Sequence, residues 1–308
     1  MNSYAENLIN SVRCNACPRK CNVDRNKGVG YCGATNEMRI AKVMVHNWEE
    51  PFLTNCENSD KNAPHGCGAI FFSNCNLKCV YCQNYEISNA NVGKVVTPKE
   101  LAKIFKELED KNVCNIDLVT PTHFVRGVIE ALNIYKPKIP IVYNTSGYEN
   151  KETILALDGL VDIFLFDFKY MSETNALKYS NAKNYPEICK TALLTAKSYL
   201  KEDIFENGLM KKGIIVRHLL LPNASQDGIE ILDFINKNLG KNTYVSLLNQ
   251  YIPLHKASLY PEINKRPKAL EYKRLITHAK ELNMPNVFLQ DEASASETFI
   301  PDFSKPND

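Results

Sequence analysis

At 308 residues, 44% apolar and 23% charged, the chain has the composition of a globular protein large enough for one main domain with a small appendage. A net charge of +2, with seven acidic and seven basic side chains in the first sixty residues, leaves no basic face for nucleic acid or acidic lipid. The start, Met1-Asn-Ser-Tyr-Ala-Glu6, lacks an apolar signal core and no apolar run reaches the roughly 18 residues of a membrane helix, so a cytoplasmic protein without membrane or nucleic-acid partners is expected.

Residues 3–12 are predicted as a short helix. Then comes Cys14-Asn-Ala-Cys17-Pro-Arg-Lys-Cys21, with Cys32 after ten intervening residues. Four thiols so close together form a complete metal shell, and Gly28, Gly30 and Gly33 allow the turns that bring the fourth back to the others. Zinc and an auxiliary iron–sulfur cluster both suit four thiolates, and a set of free thiols is the plain alternative. A strand is expected over 39–45, leading into Trp48-Glu-Glu-Pro51, and a polar loop over 54–64. Cys56 and Cys67 stand apart and are assigned to packing rather than to a metal. The domain division is therefore residues 1–66, a cysteine-rich module and linker, and 67–308, the main domain.

Next, directly after the apolar run 69–72, comes Cys75-Asn-Leu-Lys-Cys79-Val-Tyr-Cys82, with C-x3-C-x2-C spacing. Iron–sulfur clusters usually take four thiolates, so three grouped cysteines leave one iron free to bind something else. A zinc site or three buried structural thiols are the competing readings. Seven of the eleven cysteines thus fall into two metal-like groups, a pattern of a reducing compartment rather than of a disulfide scaffold.

From residue 69 strands and helices alternate. Strands are predicted at 69–73, 115–122, 139–146, 162–170, 213–222, 244–253 and 286–290, and helices at 97–111, 125–135, 151–157, 186–200, 227–238 and 268–282. Thr97-Pro-Lys-Glu100 reads as a capping box with proline at the first helical position. Alternation with fewer than eight units predicts an α/β fold, a partial (β/α)6-type TIM barrel. Polar residues follow one apolar stretch after another: Thr120 to His123, Asn144 to Gly147, Asp167 to Lys169, Arg217-His218, Asn249-Gln250 and Gln290-Asp291. In the fourth strand, alternation puts Asp167 and Lys169 on the face opposite Phe164, Phe166 and Phe168, hence inside the barrel, paired with each other or with a charged ligand. Arg217 is a second clamp for a carboxylate. His123, His218 and His255 are candidates for hydrogen bonds to a ligand, each with a structural role as the plainer reading.

These stretches resemble the radical S-adenosylmethionine (SAM) proteins similar to pyruvate formate-lyase activating enzyme, in the branch with an N-terminal cysteine module. The resemblance rests on Cys14 to Cys21, Trp48 to Pro51, Cys75 to Ser88, Leu118 to His123, Tyr143 to Glu149, Asp167 to Lys169, Val216 to His218 and Asn249 to Tyr251. It implies that Cys75, Cys79 and Cys82 hold a [4Fe-4S] cluster whose fourth iron chelates SAM, with Tyr81 near the adenine and Asn84, Asn144, Thr145, Lys169, Arg217 and His218 around the cofactor. Lys169, Asp167 and His123 are the candidate catalytic side chains. Many relatives carry a glycine-glycine-glutamate run after the second strand; here Thr120-Pro-Thr-His123 stands in its place. The resemblance implies reductive cleavage of SAM to a 5'-deoxyadenosyl radical that abstracts hydrogen from a protein or peptide, activation of a glycyl-radical enzyme being one version, with flavodoxin or ferredoxin as electron donor. Radical modification of a small molecule, or a non-catalytic zinc scaffold, are the alternatives.

Overall fold

The computed structural model describes residues 1–54, 63–290 and 301–303. Cys56 and Asp291, and most of the expected loop at 54–64, lie outside the described residues. The strands are β1 (Met38–His46), β2 (Cys67–Phe72), β3 (Lys94–Val96), β4 (Asn115–Val119), β5 (Ile141–Thr145), β6 (Ile163–Asp167), β7 (Ile204–Glu206), β8 (Leu209–Leu219), β9 (Tyr244–Leu248) and β10 (Val287–Leu289). The helices are α1 (Ser3–Asn10), α2 (Pro51–Thr54), α3 (Tyr85–Ser88), α4 (Pro98–Asp110), α5 (Val125–Ile134), α6 (Lys151–Ala156), α7 (Glu173–Ser180), α8 (Tyr185–Tyr199), α9 (Ser225–Asn238) and α10 (Ala269–Glu281).

The sheet order is β10-β9-β8-β6-β5-β4-β2-β1-β3. From β2 to β10 every neighbouring pair in that order is parallel, and β1 and β3 close one side antiparallel. The sheet does not close on itself, so the architecture is the expected partial barrel. The residues expected as a separate module up to 66 contribute β1 to this sheet, paired along β2. Its start lies on the helical shell: Thr153 of α6 donates to the Ala16 carbonyl at 2.6 Å and Asn2 donates to the Leu155 carbonyl at 2.8 Å.

Side-chain alternation in the parallel strands divides two apolar clusters. Phe164, Phe166 and Phe168 point outward into the main core beneath the helices. Ile163 and Leu165 point inward and pack with Val142, Ile215, Met210 and Cys67, and with Phe52 and Leu53 of α2. This apolar floor lies below Asp167 on the same strand face, so the polar residues begin where the floor ends. The predicted capping box is present in both halves: Thr97 Oγ1 accepts from the Glu100 amide at 3.2 Å, and Glu100 Oε2 accepts from the Thr97 amide at 2.8 Å.

Past β5, the turn at Gly147 has φ of +77°, and a Cβ there would come within 2.6 Å of Cys189 Sγ and 2.8 Å of the Asp167 carbonyl oxygen. Both the backbone conformation and the close approach demand glycine. Gly147→Ala is expected to lower stability by about 2 kcal/mol or more, read as a lower denaturant midpoint; an unchanged midpoint would show that the turn relaxes freely.

Candidate functional site

The loop after β2 turns through two residues with positive φ, Asn74 (74°) and Lys78 (64°), and so presents three thiols to one chamber. Cys75, Cys79 and Cys82 all line a cavity of about 890 Å³ at the C-terminal ends of the parallel strands. Donors are aimed at the sulfurs: the Leu77 amide reaches Cys75 Sγ at 3.4 Å, and Ser180 Oγ lies 2.9 Å from Cys79 Sγ. Ser180 also meets Tyr170 Oη at 2.7 Å, and Tyr170 meets Tyr81 Oη at 2.6 Å, so a buried hydroxyl chain runs from Tyr81 to Cys79. Burial, then the neighbouring thiols Cys79 and Cys75, push the Cys82 thiol up to about 12. A bound cationic metal reverses that preference by deprotonating the thiol. Three soft sulfur donors with hydrogen-bond donors behind two of them fit an iron–sulfur cluster.

Across the chamber the strand register sets Asp167 beside Arg217 and Arg217 beside Ser246. Arg217 uses its whole fork: Nε donates to Asp167 Oδ1 at 2.8 Å, Nη1 to Glu49 Oε1 at 2.8 Å, and Nη2 to Asn144 Oδ1 at 2.9 Å. Lys169 Nζ binds the other Asp167 oxygen at 2.7 Å. Burial opposes the charge on Asp167, but Arg217 and then Lys169 outweigh it and hold the carboxyl down at about 2. Lys169 in turn feels Cys79, so it stands on the cysteine side of the pair.

Two further acids complete this wall. Glu50 accepts from Ser246 Oγ at 2.5 Å, and Asp117 takes a hydrogen bond from Asn144 Nδ2 at 3.3 Å while its other oxygen is buried without a partner among the described residues. Burial, and after it the charge of Glu49, pushes Glu50 up to about 7 and Asp117 up to about 8. In the sequence Glu49 and Glu50 stand out only as part of Trp48-Glu-Glu-Pro51, and Asp117 only as a strand residue. A charged side chain in the middle of Ile116-Asp117-Leu118 was the available signal, because an apolar strand carries one only where it meets a partner or a ligand.

Of the residues singled out in the sequence, Tyr81, Asn84, Asn144, Thr145, Asp167, Lys169 and Arg217 line the cavity with the three cysteines. Thr145 also donates to the buried Glu149 at 2.5 Å. Two of the expected side chains, His123 and His218, lie elsewhere. His123 lies outside the cavity lining, buried, with Nε2 2.6 Å from the Ser73 carbonyl, and burial lowers its pKa to about 3. His218 follows the inward Arg217 and therefore points outward, Nδ1 2.8 Å from the Phe168 carbonyl and its ring against Gly228 of α9. His255 stacks on Tyr85, ring centroids 5.2 Å apart, also outside the lining. Thr120, where the glycine-glycine-glutamate run was missing, lines the cavity with φ of 59°, a constrained conformation for a β-branched residue.

The N-terminal thiols form a second group. Cys17 feels Cys14 and Cys32, and Cys32 feels Cys14 and Cys21. Cys21 Sγ accepts from the Tyr31 amide at 3.2 Å. Among the described residues, no three His, Cys, Asp or Glu side chains are gathered into the shell of a single metal ion. No helix among them is long and apolar enough to cross a membrane.

A model of the radical SAM superfamily matches residues 69–235. An uncharacterized protein of Methanocaldococcus jannaschii, MJ0674, is 31% identical over 294 residues, covering 92% of this chain and 78% of that protein. Among solved structures, a spore photoproduct lyase variant superposes with a TM-score of 0.50 at 10% identity, over 76% of this chain and 78% of the lyase, a likeness of fold. Streptococcus suis SuiB bound to its precursor peptide SuiA superposes with a TM-score of 0.49 at 14% identity, over 71% of this chain; the chain spans 47% of SuiB.

Glu50 and Asp117 hold their protons more tightly in the folded chain than the ordinary carboxylate value near 4. The folded state therefore binds more protons between about pH 4 and pH 8, and stability falls as pH rises through that window. Asp117→Asn is expected to raise the apparent denaturation midpoint above pH 8, by about 1 kcal/mol or more, and to lose most of that gain at pH 5. A gain independent of pH would show that Asp117 is not the titrating group.

Proposed function

The chain belongs to the radical SAM superfamily, and from that membership we propose that Cys75, Cys79 and Cys82 ligate a [4Fe-4S] cluster whose remaining iron takes SAM. The observation that carries this reading is the convergence of those three thiols with Lys169, Asp167, Arg217 and Asn144 on one cavity. Bound there, the cluster supplies the electron that cleaves the sulfonium to a 5'-deoxyadenosyl radical, which takes hydrogen from the substrate.

The protein's own contribution is positioning. Lys169, on the cysteine side of Asp167, offers an ammonium to the SAM carboxylate. Arg217 is already engaged by Asp167, Glu49 and Asn144, so its role is to hold the wall rather than to grip the ligand directly. Tyr81, fixed through Tyr170, and Asn84 border the space beside the cluster loop and are assigned to the adenosine. The polar mouth accepts a protein or peptide segment as hydrogen donor, and flavodoxin or ferredoxin is the electron source. Activation of a glycyl-radical enzyme is one form of this activity.

Anaerobically reconstituted and reduced protein is expected to give a cluster electron paramagnetic resonance (EPR) signal that SAM alters, and to form 5'-deoxyadenosine. Absence of both would defeat the proposal. Cys79→Ala should abolish deoxyadenosine formation, and Lys169→Ala should weaken SAM binding about tenfold or more; unchanged affinity by titration removes Lys169 from the site. Incubation with candidate proteins, following mass change, separates a protein substrate from a small molecule.

A further inference from the structure

We propose that the base of the cavity, where Glu50 and Asp117 lie, is a pocket for a long cationic side chain, lysine or arginine, of the peptide substrate. The proposal deepens the radical SAM reading of this cavity and rests on it for the bound chain being the substrate. Charge is the first argument. Arg217 and Lys169 are taken up by Asp167 and Glu49, and Glu50 and Asp117 make no ion pair among the described residues. Their hydrogen-bond partners are neutral, Ser246 for Glu50 and Asn144 for Asp117. Both feel the charge of Glu49, so the three carboxyls stand around one place. His46, also in the lining, is kept neutral by burial. Asp117 supplies an independent sign of a ligand. It is fully buried on the face of β4 that also carries Val119 of the lining, and its Oδ1 has no hydrogen-bond partner among the described residues. An orphaned buried acceptor carries a desolvation cost that a ligand's donors relieve.

Shape is the second argument. Hydrogen bonds join Asp117, Asn144, Arg217, Asp167 and Glu49 into one polar tier, and Ser246 pairs with Arg217 across β8 and β9. Side chains two residues further along a strand share its inward face and lie nearer the mouth. On β4, β8 and β9 these are Val119, Leu219 and Leu248, all in the cavity lining. An aliphatic collar thus stands over an acidic base. A side chain with a methylene stem and a charged tip matches both, the stem against the collar and the tip among the carboxyls. Lys169 interrupts the collar after β6, on the cysteine side assigned to SAM, so the two ligands occupy different parts of the cavity.

The test titrates the full chain, reconstituted anaerobically, with capped pentapeptides that place one variable residue among glycines, and reads affinity by calorimetry with and without SAM. Peptides carrying lysine or arginine are expected to bind about tenfold or more tightly than one carrying norleucine. A peptide carrying diaminopropionic acid, whose charge sits on a short stem, is expected to gain nothing over norleucine. Equal affinity for lysine, arginine and norleucine, or no binding by either cationic peptide, overturns the pocket. A full gain with the short stem also overturns it, because the charge would then be met at the mouth. Glu50→Gln and Asp117→Asn should each remove most of the cationic preference and leave SAM affinity unchanged. A preference that survives both substitutions, or a matching loss of SAM affinity, overturns the assignment of these acids to the substrate. A lysine preference together with an EPR signal insensitive to SAM supports the pocket and counts against the radical reading alone.

Discussion

The half-buried guanidinium of Arg217 is the constraint on which the chamber wall depends. It draws together Asp167 from β6, Asn144 from β5 and Glu49 from the segment before α2, so three parts of the chain far apart in sequence share one charge. Removing one member of such a group leaves the remaining charges of the wall uncompensated. The orientation of Lys169 follows from it, because Asp167 has one oxygen on Arg217 and offers only the other to Lys169. A ligand meeting this wall thus finds an ammonium already aimed and does not have to order it.

Behind the cysteine loop lies a second set of ties, and these join the N-terminal segment to the barrel. Arg25 bonds the His123 carbonyl just as Arg19 bonds those of the cysteine loop. Arg19 in this way supplies donors to the carbonyls of Asn76 and Leu77 in the turn between the first two cysteines. With β1 in the sheet and α1 against α6, the first forty-six residues are part of the wall that supports the site rather than a loose appendage.

Much of this was legible because periodicity reports burial directly. The alternation through Phe164, Phe166 and Phe168 assigned Asp167 and Lys169 to the interior, where they are found. The same rule applied to β8 turns His218 outward once Arg217 points inward. The hairpin of β7 and β8 also left a sign, Asn207-Gly208, both with positive φ (52° and 79°), a pair that favours a tight turn of this kind. Helix α7 is harder to see: eight residues with little apolar contrast, opened by Ser172, whose hydroxyl accepts from the Asn175 amide. What no pattern could supply is the meeting of Glu49, Asp117 and Arg217, since contacts between distant segments leave no local trace. Nor could spacing alone show that Arg19 reaches the loop of Asn76.

The protonated acids of the wall have a consequence for whatever enters. Glu50 borders the cavity and Asp117 backs it through Asn144, and both retain protons near neutrality. A permanent cation brought beside them favours the ionised carboxylates and expels hydrogen ions to bulk water. By linkage, a cationic ligand of this wall is held more firmly as the medium turns alkaline, until the acids have ionised unaided and the dependence levels off.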